Sequence, residues 1–159
     1  MKTIDIPGLI RVMDLPLDIP FKSLDFHFID RDFSQETICK NLKAPQLGRY
    51  KLVSFPGGIR MTEMLLVALA RGFRLANVSE VLSVQQVANL DKLGLGENYN
   101  IVALGTIVKR SSAIFAICCP VLTFYTNERD GRQTREKVLN LHDLFESCSE
   151  NYHFLFRIK

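Results

Sequence analysis

Residues 61–82 read MTEMLLVALARGFRLANVSEVL. The run before Gly72 is apolar on nearly every side of a helix, a pattern typical of a buried helix, and Thr62 is a suitable N-cap for it. Gly72 fits the left-handed position at which helices often end. Asn77 or Ser79 then caps a second helix. We therefore expect a buried first helix around which the later strands pack.

Strand-like runs lie on both sides of this helix pair. YKLVSF at residues 50–55 comes before it, and the nearly continuous apolar run IVALGTIV at residues 101–108 comes after it. Further strands are predicted at residues 113–119, 121–126, 138–141 and 152–158, with a hairpin link at residues 109–112 and a tight turn at Asp130-Gly131. The order predicts an α+β fold with two helices packed on a mostly antiparallel sheet.

Three shorter segments complete the compact α+β module that we predict for residues 48–159. Glycines and asparagines at residues 91–100 indicate a loop. Pro120 cannot donate a ladder hydrogen bond, so we expect a bulge or a sheet edge there. Residues 142–147 are predicted to form a helical turn.

Residues 1–47 are predicted to form an N-terminal lead-in with one strand and a short helix. Prolines punctuate it and disfavour long regular elements. Residues 24–30, LDFHFID, alternate as a half-buried strand does, and Ser34 can cap the short helix that follows. The apolar face of this strand favours packing on the module rather than exposure.

Composition limits the classes of function. The chain has 159 residues, of which 47% are hydrophobic and 23% charged, as in one ordinary globular domain. The formal net charge of +3 is far from that of a dense basic stripe, which argues against a nucleic-acid partner. The first 20 residues lack the apolar core of a secretory signal, and the run at residues 113–125 is too short to span a bilayer. We expect a cytoplasmic protein with no membrane partner.

The cysteines give no support for a metal site. Cys39, Cys118, Cys119 and Cys148 form no C-x-x-C pair, so the spacing does not predict zinc. Cys118 and Cys119 are neighbours in a predicted strand, and their side chains should point to opposite faces. We expect buried free thiols, with no metal ligand and no cofactor.

No catalytic signature is visible. His27, His142 and His153 stand in no hydrolase motif, and the glycine pairs lack the spacing of a phosphate-binding loop. These observations favour a non-enzymatic protein. An enzyme remains an alternative if the fold brings distant residues together, for example Cys118 with His153.

Basic residues around the predicted hairpin tip are the most distinctive polar feature. Arginine there could bind phosphate or carboxylate in a bidentate manner, although acidic neighbours also fit a solvated loop. The candidate binding residues are Arg110, Asn127, Arg129, Arg132, Arg135 and Lys137. Our hypothesis is a non-enzymatic binding or interaction module for a protein or a small ligand. The alternative is an enzyme or nucleic-acid-associated factor that uses the same loop. An exposed edge strand leaves homodimerisation open.

The chain resembles the C-type-lectin-like fold family over residues 48–159. The resemblance rests on an apolar helix at residues 66–70, then Gly72, the pair Leu75-Ala76 and a capped second helix, followed by the apolar run with a glycine at residues 101–105. It implies the same α+β architecture. The family's core tryptophan, paired cysteines and calcium-binding motifs are missing, so the resemblance implies no metal ligand and no calcium-dependent sugar binding. The chain is also similar to small uncharacterised proteins of candidate-phylum bacteria.

Overall fold

A computed structural model describes residues 1–11, 26–33, 47–87, 89–110 and 117–158. The strands in these ranges are β1 (Lys2–Arg11), β2 (Phe28–Ile29), β3 (Leu47–Ser54), β4 (Ile59–Arg60), β5 (Arg74–Leu75), β6 (Tyr99–Val102), β7 (Val108–Lys109), β8 (Ile117–Arg129), β9 (Arg132–Asp143), β10 (Ser147–Cys148) and β11 (Tyr152–Ile158). The helices are α1 (Met61–Arg71), α2 (Val78–Val87) and a short 3-10 helix, η1 (Leu90–Leu93). The predicted α+β class, with two helices and a large, mostly antiparallel sheet, is confirmed.

One large sheet organises the described residues. Its strand order is β1-β3-β11-β6-β8-β9-β2, with β5 beside β11 and β7 beside β8. Among the strand pairs that the described residues form in this sheet, only β11–β6 and β2–β9 are parallel. Strands β4 and β10 form a separate antiparallel pair.

Each face of the sheet carries its own apolar core. Met61, Met64 and Ala68 of α1 pack on one face with Phe154 and Phe156 of β11, and we call this the α1 face. The other, the α2 face, has the buried side chains of α2 and Leu155 of β11. Because both faces are covered, the central strands are apolar in consecutive positions instead of alternating with polar residues.

Helix α1 lies on the surface. Met61, Met64 and Ala68 face the sheet, whereas Leu66 is 67% exposed and Leu69 is 79% exposed. The prediction of a helix buried on every side is therefore wrong, because apolar residues on the outer face meet no second layer in the described structure.

The predicted start of helix α1 is wrong, whereas its predicted end is correct. Thr62 is not the cap: the helix begins at Met61, and the backbone N–H of Arg60 donates to the Glu63 carboxylate over 3.1 Å. Gly72 has φ of 66°, and its N–H donates to the carbonyl of Leu69 over 3.2 Å. The predicted glycine stop is confirmed.

A reciprocal capping box begins α2. The Oδ1 of Asn77 accepts the N–H of Glu80 at 2.9 Å, and the Oε2 of Glu80 accepts the N–H of Asn77 at 2.8 Å. Asn77 is thus the N-cap of α2, and of the two predicted candidates, Asn77 and Ser79, the first is confirmed. The other oxygen of the buried Glu80 accepts hydrogen bonds from Tyr50 of β3 and Arg74 of β5, which tie α2 to the sheet.

The lead-in contains a strand that the sequence analysis did not predict. Strand β1 runs antiparallel to β3 from Lys2 opposite Ser54 to Arg11 opposite Leu47. The ladder shifts register between residues 6 and 10, and Pro7 falls in this irregular stretch of the edge strand, where a missing N–H is tolerated. Of the strand predicted at residues 24–30, β2 is present at Phe28–Ile29, whereas residues 24 and 25 and the helix predicted after Ser34 lie outside the described residues.

Three segments differ from prediction in the last half of the chain. The run predicted as a strand at residues 101–108 is interrupted, because β6 ends at Val102 and β7 begins only at Val108. Residues 91–100 are not a simple loop, since they include most of η1 and the start of β6. Residues 142–147 do not form a helical turn, because β9 continues to Asp143 and a tight turn then leads into β10.

Pro120 lies inside the sheet and not at a bulge or an edge. It stays in register opposite Leu141 of β9. On the other side of β8, the β6 ladder ends at Val121 and the β7 ladder ends at Cys118, so Pro120 faces the gap between them. Its missing N–H therefore removes no ladder hydrogen bond.

The predicted local features of the later strands are partly confirmed. Strand β11 has the predicted bounds. Asp130 and Gly131 have φ of 52° and 73° and connect β8 to β9, as expected for a two-residue hairpin turn. Strands β7 and β8 pair antiparallel, as the predicted hairpin requires, while residues 111–116 lie outside the described structure.

Candidate ligand-binding cleft

A cleft of about 420 Å³ lies at the end of the sheet where β1 and β11 begin and β3 ends. The residues that line it come from these strand ends and from the two adjoining loops. They are Lys2, Ser54, Pro56, Gly94, Leu95, Glu150, Asn151 and His153. We call this the His153 cleft.

Lys2, Ser54 and His153 form a row across three neighbouring strands. Lys2 is opposite Ser54 in the β1–β3 ladder. Phe154 is opposite Val53 in the β3–β11 ladder, so the next position along places His153 beside Ser54. Because side chains alternate along a strand, all three lie on the α2 face.

The next row of the same face is apolar and belongs to the core. Ile4 is opposite Leu52, and Leu52 is opposite Leu155. Leu52 and Leu155 are fully buried, and Ile4 packs against them in the same core. The polar row is thus the last one before the sheet ends, which places polar groups at the border between core and solvent.

His153 has no hydrogen-bond partner for either ring nitrogen among the described residues. Its side chain is buried, with 4% exposure, and its ring lies edge-on to Tyr99 at 6.5 Å between centroids. Burial lowers the pKa of His153 to about 4, and the positive charge of Lys2 acts in the same direction. The imidazole is therefore neutral at pH 7, with one unused N–H donor and one unused acceptor.

Opposite charges lie at the mouth of the cleft. Lys2 and Glu150 are both exposed, and neither forms a salt bridge with another described residue. Leu95 is buried and gives the cleft an apolar wall in addition to its charged mouth. The site can therefore contact an apolar group, a hydrogen-bonding group and a charge at the same time.

Tight backbone turns hold the loops of the cleft. Gly94, with φ of 70°, ends η1 and directs the chain to Leu95. On the other side, the carbonyl of Asn151 accepts the N–H of Asn100 at 2.9 Å, and the N–H of Tyr152 donates to the carbonyl of Ser149 at 3.1 Å. The residues that border His153 are thus fixed by backbone hydrogen bonds to β6 and within the turn before β11.

The predicted basic residues occupy different places along the β8–β9 hairpin. Arg129 and Arg132 are exposed, face each other across the tip and have no ion pair with a described residue. Arg135 is held against the body of the protein: it donates to Asp91 Oδ1 at 2.8 Å and to the carbonyl of Glu97. Its guanidinium also lies 5.3 Å from the centre of the Tyr99 ring.

The other predicted site residues are also engaged within the chain. Asn127 donates to Glu136 over 3.4 Å, and the ammonium of Lys137 lies 5.2 Å from the centre of the Phe26 ring. Arg110 donates to the carbonyl of Leu141 at 2.7 Å. Leu141 is about 30 Å along β9 from the hairpin tip, so the structure separates Arg110 from the tip arginines.

The suggested pair of Cys118 and His153 is not brought together. His153 is opposite Ile101, and Ile101 is opposite Leu122 of β8. Cys118 lies four residues farther along β8, about 13 Å away along the strand and two strands across. This distance excludes a direct hydrogen bond between the thiol and the imidazole.

Cys119 lies closer to a histidine but is covered by the core. It is opposite His142 in the β8–β9 ladder, and its Sγ lies 3.2 Å from the Sδ of Met61. Burial raises the pKa of the Cys119 thiol, and it raises the pKa of Cys148 to about 12, so both stay protonated and unreactive. As predicted, Cys118 and Cys119 lie on opposite faces of the sheet.

Sequence reasoning named His153 but missed the rest of its cleft. Lys2, Ser54 and Glu150 are far apart along the chain, and none belongs to a motif. The one usable signal is a polar residue at the end of an apolar strand pattern, which Ser54 and His153 both show. That signal does not indicate which strand ends meet.

No protein-family model, no curated protein and no solved structure matches the chain. Within the described ranges, no cluster of three or more His, Cys, Asp or Glu side chains is arranged to hold a metal ion. None of the described helices is both long enough and apolar enough to cross a membrane.

Proposed function

We propose that the protein is a non-enzymatic binding module and that the His153 cleft holds a small-molecule ligand. One observation carries this proposal: a buried, neutral imidazole borders a cleft of about 420 Å³ and has no partner for either nitrogen among the described residues. A buried polar group without a hydrogen bond costs about 1–3 kcal/mol. A bound ligand would offset this cost.

The cleft has the properties of a small-molecule site. Its volume lies within the range of about 300–1,000 Å³ that is usual for such sites. Its polar row stands on three hydrogen-bonded strands, so the donors and acceptors are held in place before a ligand arrives.

Binding without catalysis fits the side chains of the cleft better than hydrolysis does. Ser54 carries the only hydroxyl among the described residues that line the cleft, and neither nitrogen of His153 accepts a hydrogen bond from it. A serine that acts as a nucleophile with histidine as its base needs such a contact. The pKa of about 4 also makes His153 a weak base at pH 7.

NMR with small probes of known charge tests the proposal. Acetate, acetamide, methylammonium and phenol are added separately, at millimolar concentration, to the ¹⁵N-labelled full chain. We expect at least one probe to shift the amide signals of Ser54, Leu95 and Asn151 together with the ring signals of His153.

Two variants make this test specific. His153→Phe should abolish the shifts, whereas His27→Phe, at an exposed histidine on the far side of the sheet, should keep them. The proposal is overturned if none of the probes shifts these signals, or if binding persists in His153→Phe.

The hairpin tip is the second candidate surface, favoured by the exposed guanidinium groups of Arg129 and Arg132, which form no salt bridge with a described residue. An anionic peptide or oligonucleotide would supply the complementary charge. Binding of a poly-glutamate peptide and of a single-stranded oligonucleotide is compared in the wild type and in Arg129→Ala/Arg132→Ala. Loss of binding in the double variant supports this surface, and unchanged binding rules it out.

A C-type-lectin-like relationship is part of the same proposal. It is supported by the order of apolar helix, Gly72, Leu75-Ala76 and a second helix capped by Asn77, followed by antiparallel strands. It carries no metal ligand, and the binding proposal does not depend on it.

A further inference from the structure

We propose that the ligand of the His153 cleft is a small carboxylic acid in its anionic form, held between the ammonium group of Lys2 and the imidazole of His153. This inference rests on the proposed binding function and names the chemical class of the ligand. Its basis is the placement of one cation and one unused N–H donor in the same row of the sheet.

The geometry of the row suits a group with two acceptor oxygens. Lys2 and His153 stand on either side of Ser54, so their backbones are about 10 Å apart, two strand spacings. Their side chains lie on the same face and line the same cleft. A carboxylate between them can accept one hydrogen bond from the ammonium and one from the imidazole N–H.

Charge favours an anion at this point. Lys2 has no carboxylate partner among the described residues, and it is close enough to His153 for its charge to act on the imidazole. A bound carboxylate would pair with the exposed Lys2 ammonium at its outer side and with the buried His153 ring at its inner side, and hydrogen bonds to an ionised group are stronger than those between neutral groups.

A singly charged anion fits better than a phosphate dianion. Among the described residues that line the cleft, Lys2 is the only one with a cationic side chain, and Glu150 at the mouth is negative. Two negative charges would exceed the one positive charge available and would be repelled by Glu150. The apolar wall at Leu95 is suited to the short hydrocarbon part of an organic acid.

NMR titrations of the full chain at pH 7 and constant ionic strength test the inference. They measure the affinities of acetate, acetamide and inorganic phosphate. Acetamide has nearly the shape of acetate without its charge. We expect acetate to bind at least tenfold more tightly than acetamide and more tightly than phosphate, and Lys2→Met to remove this preference.

Lys109→Met is the matched control, since it removes one positive charge from an exposed position outside the cleft. It should leave the affinity for acetate within twofold of the wild type. Thermal unfolding of both variants shows that each remains folded.

The outcomes separate this inference from the function on which it rests. If acetamide, methylammonium or phenol binds at the cleft as tightly as acetate, the carboxylate inference is overturned and the binding function stands. If phosphate binds more tightly than acetate, or if Lys2→Met and Lys109→Met behave alike, the inference is also overturned. If none of the probes binds, both proposals fail.

Discussion

At the scale of single residues, His153 departs from the rule that buried polar groups form hydrogen bonds. It is buried, it lies beside an aromatic ring, and neither nitrogen has a partner in the described structure. A charged imidazolium would be far more costly in this place than a neutral ring. The protein therefore keeps the ring neutral, and this has a direct consequence for stability in acid.

We expect His153 to reduce the free energy of unfolding as pH falls. Its pKa is about 4 in the folded state and about 6.5 in the unfolded state. Between these two pH values the unfolded chain binds the proton more readily than the folded chain. The contribution of His153 to the free energy of unfolding is therefore complete above pH 6.5 and is lost as pH falls towards 4. The difference of about 2.5 pKa units corresponds to about 3 kcal/mol.

Urea unfolding at pH 7.0, 5.5 and 4.5 measures this contribution. The decline of stability with acidity should be smaller in His153→Phe than in the wild type. Should the variant and the wild type decline in parallel, His153 would not be the buried neutral base described here. His153→Gln provides a second comparison if the phenylalanine variant does not fold.

At the scale of elements, α1 shows how one helix can be apolar on two sides and buried on one. Met64 faces the sheet and is fully buried, whereas Leu69, five residues later, is 79% exposed. Apolar residues with good helix propensity explain why the helix forms. Which side is covered depends on the strands beneath it.

Substitution of these two side chains distinguishes the buried from the exposed side. Met64→Ala should lower the free energy of unfolding by about 2–4 kcal/mol, because it removes a packed side chain and leaves a cavity. Leu69→Ala should change it by less than about 0.5 kcal/mol. Urea unfolding of both variants makes the comparison, and equal losses would mean that a second layer covers the outer side of α1.

The link between β6 and β7 is held close to the start of α2. The N–H of Gly105 donates to the carbonyl of Ala76 at 2.8 Å. A Cβ on Gly105 would lie 2.7 Å from that oxygen, closer than real contacts allow. Glycine is therefore required here by close approach of two backbones and not by a positive φ.

Gly105→Ala should lower the free energy of unfolding by about 1–3 kcal/mol, since the two backbones must separate. Gly57→Ala is the matched control: its Cβ would meet no atom within 4 Å, and its φ is not positive. Thermal unfolding should show a clear loss for the first variant and little change for the second. Comparable behaviour of the two would argue against the close approach.

At the scale of the whole molecule, stability should be concentrated in the middle of the sheet. Strands β3, β11 and β6 lie between two apolar cores, and Leu52, Val53 and Leu155 are fully buried. The outer part of the β8–β9 hairpin differs, because beyond Phe124 its strands pair only with each other and its side chains are largely exposed.

Amide hydrogen exchange should reflect this difference. We expect amides of residues 52–53 and 154–156 to exchange only through global unfolding, and those of residues 128–133 to exchange through local opening at least a hundredfold faster. Mass spectrometry of peptides after timed exchange measures both. Uniform exchange across the sheet would contradict a core that lies at β3 and β11.

The sequence by itself determined the features whose cause is local. The left-handed glycine at Gly72, the cap at Asn77 and the turn at Asp130-Gly131 follow from the conformations that these residues prefer, and β11 follows from its apolar run. The α+β class follows from the order of such elements. Each of these predictions needs only residues a few positions apart.

Tertiary structure alone decided which faces are buried and where the cleft lies. Lys2, Ser54 and His153 meet because β1, β3 and β11 pair in one register, and a shift of one residue would send each side chain to the other face. Likewise, because α1 is apolar on more than one side, its sequence does not indicate which side packs on the sheet. Local patterns carry no information about such long-range pairings, since the free energy that selects them comes from packing between segments distant in sequence.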